Sequence, residues 1–206
     1  MIAAPFPPVD AAAPQILLST LDATRVEPLL DPLLGIWNRA GLEALIDRQH
    51  AASLAGDAPF LVLLIDIDFF KQINESYGIA VGDSVLKLVL RALRGSLRTG
   101  DEIGRYAADQ FLLVLANTTG SSAERLARRL NDAVSALRVE TCAKSRGCKV
   151  NIGCSVSIGI AEWTSAPPAE SAQALMGVAD AALLAAKRRG RNCARVGRRL
   201  EPVRPS

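Results

Sequence analysis

Three aspartates at the ends of apolar segments are the residues of this chain best suited to chemistry. Asp66 and Asp68 follow the apolar run Phe60 to Ile65, and Asp109 lies between two further apolar runs. If the strands are neighbours, Asp66 and Asp109 can converge on one hard cation. Mg²⁺ held by one or two carboxylates usually completes its shell with substrate phosphates, so the spacing indicates a nucleoside triphosphate site. Aspartates at strand ends also serve as ordinary turn or capping residues.

The segment from Ile103 to Leu115 is predicted to form a β-hairpin with Asp109 at its tip. Two apolar runs, Ile103 to Tyr106 and Phe111 to Leu115, flank a break with the sequence AADQ. Tight hairpin turns favour Gly, Asn or Asp where φ must be positive, so two alanines at the reversal are unusual. Either the turn is wider than usual or alanine has replaced an ancestral glycine.

The elements that position these aspartates alternate between helix and strand. Asn38 is predicted to cap a helix that ends near Gly56, and residues 60–65 are too short for a separate core helix and are predicted to form a central strand. Further helices are expected at 71–77, from the Gly82–Asp83 cap onward, at 121–137 after serine caps, and at 169–189. Strands are expected at 154–163, after a basic turn at 144–147, and at 193–196. This order predicts a single-domain α/β sandwich with a mixed sheet.

The composition argues against a membrane-spanning, a secreted and a zinc-binding protein. The chain has 206 residues, half of them apolar and 22% charged, and its formal net charge is +3. No apolar run approaches the length of about 20 residues that spans a bilayer, and the first residues do not resemble a signal peptide, so we expect a cytoplasmic protein. The four cysteines contain no C-x-x-C pair, which argues against structural zinc.

Both ends of the chain differ from the middle. Residues 1–30 are rich in Ala and Pro, with at most a short helix near 16–21, and are predicted to form a leader or linker. From Lys187 to Arg204 there are eight basic residues and one acid, Glu201. We interpret residues 197–206 as a basic tail, which is either solvated or in contact with phosphates or an anionic surface.

An ordered set of motifs between Asp31 and Val196 resembles the GGDEF domain of diguanylate cyclases. The motifs are DPLLGIWNR at 31–39, IDIDFFKQINESYGIAVGD at 65–83, RTGDEIGRYAADQF at 98–111, VSIGIA at 156–161 and ADAALLAAKRRGRN at 179–192. The resemblance implies a fold like that of class III nucleotide cyclases, with a central, mostly antiparallel sheet of about five strands surrounded by helices. It also implies chemistry in which two GTP-loaded domains meet and form cyclic di-GMP.

The resemblance assigns roles to residues at the matching positions. Asp66, the backbone carbonyl of Ile67, and Asp109 stand at the family's metal ligands, which implies a Mg²⁺ site. Lys71, Lys187 and Arg191 stand where the family contacts phosphates. Asn74 and Asp83 match the residues that read guanine, and a carboxylate suits this because it accepts from both N1–H and the 2-amino group.

The signature at 107–111 departs from the family pattern where the chemistry is most demanding. It reads Ala107, Ala108, Asp109, Gln110 and Phe111, without both glycines and the second acid. A methyl group at Ala108 crowds the approach to nucleotide phosphates or alters the turn, and the uncharged Gln110 cannot act as an anionic metal partner. Loss of one such group typically costs about 10² to 10³ in rate, so we expect a weakened metal site and a vestigial catalytic tip. Leu34, Ile79 and Leu184 replace the family's threonine, histidine and tyrosine.

Arg98 and Asp101 form an RxxD motif ahead of the hairpin, at the spacing of the family's inhibitory site for cyclic di-GMP. Arginine can pair with a guanine O6/N7 edge or stack on its face, while the aspartate accepts from the base. Arg128 or Arg129 is a candidate second arginine. An isolated RxxD is also common as a surface ion pair near a helix end.

The leading hypothesis is a catalytically impaired GGDEF domain that binds cyclic di-GMP or GTP and passes its state to a protein partner. An active cyclase, which would work as a homodimer, is the alternative from another class. A second alternative is an interaction domain that binds no nucleotide. We do not expect nucleic acid among the partners.

Overall fold

The computed structural model describes residues 29–54, 59–118, 120–142, 149–163 and 171–197. In chain order the elements are α1 (Arg39–Leu54), β1 (Phe60–Ile67), α2 (Phe70–Tyr77), α3 (Ile79–Arg94), β2 (Glu102–Ala107), β3 (Gln110–Ala116), α4 (Gly120–Ser135), β4 (Val139–Cys142), β5 (Lys149–Ile152), β6 (Val156–Trp163), α5 (Ala172–Arg188) and β7 (Ala194–Val196). Within these ranges, no helix combines the length and apolar character that crossing a membrane requires.

The centre of the fold is a five-stranded sheet in the order β2-β3-β1-β6-β7. β1 pairs antiparallel with both β3 and β6, and β2 pairs antiparallel with β3. Only the short strand β7 runs parallel to its neighbour, β6. The predicted α/β sandwich with a mostly antiparallel sheet is therefore confirmed.

Strand β1 separates two apolar cores because its successive side chains point to opposite faces of the sheet. Leu61, Leu63 and Ile65 pack into the core that contains α3 and α4 residues. Val62 and Leu64 pack into the other core, with residues of α1 and α5. Every residue of β1 is buried. This explains why its sequence is a continuous apolar run rather than an alternating pattern.

The predicted starts of two helices and the end of one strand were wrong. Helix α3 begins at Ile79, not at Gly82–Asp83, because Gly78 with a φ of 97° already separates it from α2. Helix α4 begins at Gly120, so the serines expected to cap it lie inside its first turn. Strand β1 continues to Ile67, because Asp66 still pairs in register with β3 and β6. Asp66 therefore lies within the strand and not after it.

One further prediction is confirmed, and several others concern segments that lie outside the described residues. The Asn38 cap is confirmed, since its side chain accepts a hydrogen bond from the amide of Gly41 at 3.0 Å. The ribbon of β4 and β5 was not predicted. The segment at 16–21, Gly56, the turn at 144–147 and the tail beyond residue 197 lie outside the described residues, and the division into leader, domain and tail stays a prediction.

Candidate functional site

Asp66 lies on the central strand, near the end of the sheet where the hairpin reverses. It stands opposite Gln110 of β3 and Ser157 of β6, and only 4% of its surface is exposed. Its even position in β1 places its side chain on the face shared with Leu64, against which α5 packs. A carboxylate at this depth requires partners, because an unpaired buried charge is costly.

Two groups of the described residues bind the same oxygen of the Asp66 carboxylate. Lys187 Nζ of α5 lies 2.6 Å from Asp66 Oδ2, and the side-chain amide of Gln110 donates to that oxygen at 2.9 Å. Asp109 is close enough for its charge to act on Asp66. We refer to Asp66, Asp109, Gln110 and Lys187 as the Asp66 cluster. The structure thus brings together one predicted phosphate contact and two predicted metal ligands.

Asp109 occupies the turn between β2 and β3, and its backbone carbonyl accepts a hydrogen bond from the amide of Ile67 at 3.1 Å. Burial raises the pKa of the Asp109 carboxyl above its ordinary value, and the negative charge of Asp66 raises this pKa further. A backbone hydrogen bond and the positive charges of Lys187 and Arg105 partly oppose this rise in the pKa. The ionised form of Asp109 is therefore less favourable here than in water.

The donor set around Asp66 does not fit Mg²⁺ in the arrangement observed. Mg²⁺ requires oxygen ligands that are free to point at the ion. Asp66 Oδ2 instead accepts from two nitrogen donors, and the position after Asp109 holds an amide that donates. Within the described ranges, no group of three or more His, Cys, Asp or Glu side chains is placed to hold a metal ion.

The hairpin turn is tight, so the expectation of a wider turn is not met. Ala107 pairs with Gln110, which leaves Ala108 and Asp109 as the two turn residues, and the strand register shifts between Arg105 and Ala107. The non-glycine residues with positive φ among those described lie elsewhere. The alanines therefore avoid the left-handed conformation that would have required glycine.

Sequence reasoning missed the residue that anchors this turn. Arg105 of β2 donates to the carbonyl of Ala108 through Nε at 3.2 Å and Nη2 at 2.7 Å. Its Nη1 lies 3.2 Å from Asp31 Oδ2, and the other oxygen of Asp31 caps the amides of Leu33 and Leu34. Both side chains of this ion pair are mostly buried. Local sequence gave no signal for it, because the partners are 74 positions apart.

Asn74 and Asp83, the predicted guanine readers, lie on the consecutive helices α2 and α3. Asn74 Oδ1 is buried and accepts no hydrogen bond within the described part of the chain. It lies where α3 approaches closely, since a Cβ on Gly82 would come within 1.8 Å of this oxygen. An unsatisfied buried acceptor costs free energy, which a bound donor would recover.

The other predicted phosphate contacts lie on the surface. The Lys71 side chain is 89% exposed and its Nζ is 3.8 Å from Glu75 Oε1. The Arg191 guanidinium stacks over the ring of Phe69 at 4.5 Å. Arg191 and Phe69 both have a positive φ. Such conformations persist only when the surroundings hold them.

Asp68 helps to hold the turn at Arg191 in its positive-φ conformation. Its carboxylate is not directed at the Asp66 cluster. Its carboxylate accepts from Ser155 Oγ at 2.6 Å, from Ser157 Oγ at 2.7 Å and from the amide of Asn192 at 3.1 Å. The Asn192 side chain in turn accepts from Ser135 of α4. Asp68 therefore fixes the turn that presents Arg191.

Arg98 and Asp101 form an ion pair beside a cavity of about 240 Å³. Arg98 Nε lies 3.1 Å from Asp101 Oδ1, and Arg98 Nη2 donates to the carbonyl of Ala116 at 2.7 Å and to Thr118. The Asp101 side chain is only 5% exposed, whereas that of Arg98 is 59% exposed.

Two further arginines, from α4, line the same cavity. Arg125 and Arg129 are one helical turn apart and share its wall with Arg98 and Asp101. We call this the arginine cavity. Of the two candidates from the sequence, Arg129 lines the cavity and Arg128 does not. Arg125 was missed, although its spacing of four from Arg129 places both on one helix face.

Comparisons with known proteins agree with this architecture. A family model described as the diguanylate cyclase GGDEF domain matches residues 29–193. The diguanylate cyclase DosC of Escherichia coli is 33% identical over 171 residues, which cover 83% of this chain and 35% of DosC. The response regulator PleD of Caulobacter vibrioides is 32% identical over 176 residues, covering 85% and 37%. This chain spans about a third of the length of these relatives.

Solved structures show the same fold. The coiled coil and GGDEF domain of DgcB from Caulobacter crescentus, in complex with cyclic di-GMP, has a TM-score of 0.77 and 27% identity, covering 87% of this chain and 91% of that one. The diguanylate cyclase SiaD of Pseudomonas aeruginosa, in complex with its activator SiaC, has a TM-score of 0.74 and 31% identity, covering 84% and 64%. The fold and the family match over most of its length together establish that this chain belongs to the GGDEF domain family of diguanylate cyclases.

Proposed function

We propose that this domain is a cyclic di-GMP-binding module whose catalytic tip is impaired, and that the ligand binds at the arginine cavity. The observation that carries the proposal is the convergence of Arg98, Arg125 and Arg129 with Asp101 on one cavity. Arginine pairs in a bidentate manner with guanine edges and with phosphates, and a carboxylate accepts from the guanine N1–H and amino group. Cyclic di-GMP presents all of these groups.

The bond between Arg98 and Asp101 is consistent with both the ligand site and a surface ion pair. Three features support a ligand site. The Asp101 side chain is buried while that of Arg98 is largely exposed. Two more cations share the cavity. The Arg98 side chain, being 59% exposed, gains little stability from its ion pair alone. Like charges around one cavity repel one another, and an anion bound between them reduces that repulsion.

Calorimetric titration with cyclic di-GMP tests this site. We expect the wild type to bind, and Arg98→Ala, Arg125→Ala and Arg129→Ala each to weaken binding by about 10-fold or more, since a hydrogen bond to a charged group contributes about 1.5 to 3 kcal/mol. Arg128→Ala is the matched control, because this exposed arginine of α4 does not line the cavity. Absence of binding by the wild type, or an unchanged affinity in Arg98→Ala, would contradict the proposal.

The impairment is proposed from the residues at the tip. Gln110 donates to Asp66 where an acid would supply a charge, and Mg²⁺ binding is correspondingly weakened. We expect no cyclic di-GMP when the purified protein is incubated with GTP and Mg²⁺ and the products are separated by chromatography. Sustained product would establish the alternative, an active cyclase. A triple revertant, Ala107→Gly, Ala108→Gly and Gln110→Glu, tests whether the tip alone prevents turnover.

A guanine nucleotide in the cleft beside α2 and α3 is a second candidate. The unsatisfied Oδ1 of Asn74 favours it, because this oxygen is suited to accept from a base. In that case Asp83→Ala abolishes binding of GTP or cyclic di-GMP while Arg98→Ala does not. The reverse result assigns the ligand to the arginine cavity. Failure of both nucleotides to raise the melting temperature would instead favour a nucleotide-independent interaction domain.

A protein partner is part of the proposal, since a module without turnover acts only through what it contacts. SiaD has been solved with its activator SiaC, and this supports the idea that such domains engage separate proteins. A second copy of this chain is the other partner we expect.

A further inference from the structure

Two groups within the described part of the chain compensate the Asp66 carboxylate. It is 4% exposed, and its Oδ2 accepts from Lys187 Nζ at 2.6 Å and from Gln110 Nε2 at 2.9 Å. Removing a buried carboxylate from water is costly unless a cation or N–H donors replace the lost hydration. Here the protein supplies one of each.

Gln110 allows Asp66 to stay ionised without a metal ion beside it. It stands directly opposite Asp66 in the pairing of β1 with β3. A glutamate there would place a second carboxylate where the amide now donates, beside the charge of Asp109. Two carboxylates in hydrogen-bond contact cannot both ionise without a cation between them. The glutamine removes one negative charge and adds a donor, so this requirement disappears.

Lys187 supplies the remaining positive charge. Its side chain is 31% exposed and comes from α5, which packs on the same face of the sheet as the Asp66 side chain. The ammonium therefore joins α5 to β1, and the Gln110 amide joins β3 to β1. Together these bonds fix three elements around one carboxylate oxygen.

We propose that the Asp66 cluster is a metal-independent junction, in which the Lys187 ammonium and the Gln110 amide take the place of a divalent cation at Asp66. The folded domain then does not require Mg²⁺ and binds it only weakly. This inference does not depend on where a nucleotide binds, and it separates this chain from a domain whose tip carries two adjacent acids.

Thermal unfolding in EDTA and in millimolar MgCl₂ tests the proposal, with NaCl of equal ionic strength as the control for screening. The wild-type melting temperature should be the same in all three. Gln110→Glu should melt lower than the wild type in EDTA and recover in MgCl₂. Its affinity for Mn²⁺, followed by electron paramagnetic resonance without nucleotide, should exceed that of the wild type by about 10-fold or more.

Two further variants test whether Lys187 takes the place of the cation. Lys187→Gln removes the internal cation, so MgCl₂ should raise its melting temperature even if Gln110→Glu does not fold. Arg188→Gln, which changes the adjacent exposed cation of α5, should behave as the wild type does. Mn²⁺ uptake by the wild type equal to that of Gln110→Glu would overturn the proposal. A melting temperature of Lys187→Gln that does not respond to MgCl₂ would overturn it as well.

Discussion

A single change from acid to amide alters what the hairpin tip can do. Gln110 has the size of glutamate, but it donates a hydrogen bond to Asp66 at 2.9 Å where an acid would repel it. Asn74 illustrates the opposite situation, because its buried Oδ1 has no hydrogen-bond partner among the described residues. Gln110 compensates Asp66 without a metal ion, whereas Asn74 Oδ1 would be stabilised by a bound hydrogen-bond donor.

Gly82→Ala should destabilise the protein because its new Cβ would meet Asn74 Oδ1 at 1.8 Å. Because Asn74 Oδ1 is the end of a half-buried side chain that can shift, we expect the free energy of unfolding to fall by about 1 kcal/mol. Urea denaturation measures it. Gly177→Ala in α5 is the control, since nothing lies within 4 Å of its new Cβ. It should raise stability by about 0.5 to 1 kcal/mol, and equal losses in both variants would contradict the steric explanation.

Cys154 should make stability fall at alkaline pH. Burial raises the pKa of its thiol from 9.0 to about 11, with Arg138 opposing this rise. Between these values the unfolded chain releases the proton while the folded chain keeps it, so the free energy of unfolding decreases as pH rises. Cys154→Ala lacks this titration. The stability difference between wild type and variant, from urea midpoints, should therefore shift in favour of the variant above pH 9, and a constant difference would refute the assignment.

At the scale of elements, the hairpin of β2 and β3 is held from both sides. Its inner side bonds to β1 through Gln110, and its turn is tied by Arg105 to Asp31, which precedes α1. The turn is thus positioned by contacts outside the hairpin. This accounts for a tight reversal that contains neither glycine nor a left-handed residue.

Arg105→Ala should loosen this turn. It removes an ion pair whose side chains are 19% and 12% exposed, together with two bonds to the Ala108 carbonyl. We expect a loss of about 1.5 to 3 kcal/mol in the free energy of unfolding and faster hydrogen exchange at the turn. Lys71→Ala is the control, because its pair with Glu75 is 89% and 63% exposed and lies outside the hairpin. That loss should stay below about 1 kcal/mol. Similar losses in both variants would show that the Arg105 pair is an ordinary surface contact.

At the scale of the whole molecule, the two candidate sites lie at opposite ends of β3. Gln110 begins the strand and belongs to the Asp66 cluster, whereas Ala116 ends it and accepts from Arg98. Six residues of extended strand span roughly 20 Å. The sites also use different helices, α5 for the cluster and α4 for the arginine cavity.

Because of this separation, substitutions at the two sites should act independently. Gln110→Glu should leave the affinity for cyclic di-GMP unchanged, and at a ligand concentration of about 100 times the dissociation constant both proteins should gain about 2.7 kcal/mol in the free energy of unfolding. The effects of Gln110→Glu and Arg98→Ala should add within about 0.5 kcal/mol. A larger interaction energy in calorimetry of the double variant would indicate coupling between the sites.

The family, the central strand, the hairpin and most of the helices could be predicted from the amino-acid sequence. Continuous apolar runs and helical spacing report which side of a local element is buried, and motifs in fixed order report the family. The same motifs named Asp66, Asp109, Arg98 and Asp101 as candidate site residues, and their roles stay predictions. The local signals misplaced the start of α3, where the positive φ of Gly78 outweighed the apparent cap.

Which of these residues meet depends on how the helices and strands pack. The pairing of Lys187 with Asp66, the anchoring of the turn by Arg105 and Asp31, and the placement of Arg125 in the arginine cavity join residues from distant parts of the chain. Periodicity shows that a side chain faces a core or solvent, but not which distant partner packs beside it. The physical reason is that helix packing and strand register, rather than local preference, set the distances across which charges pair.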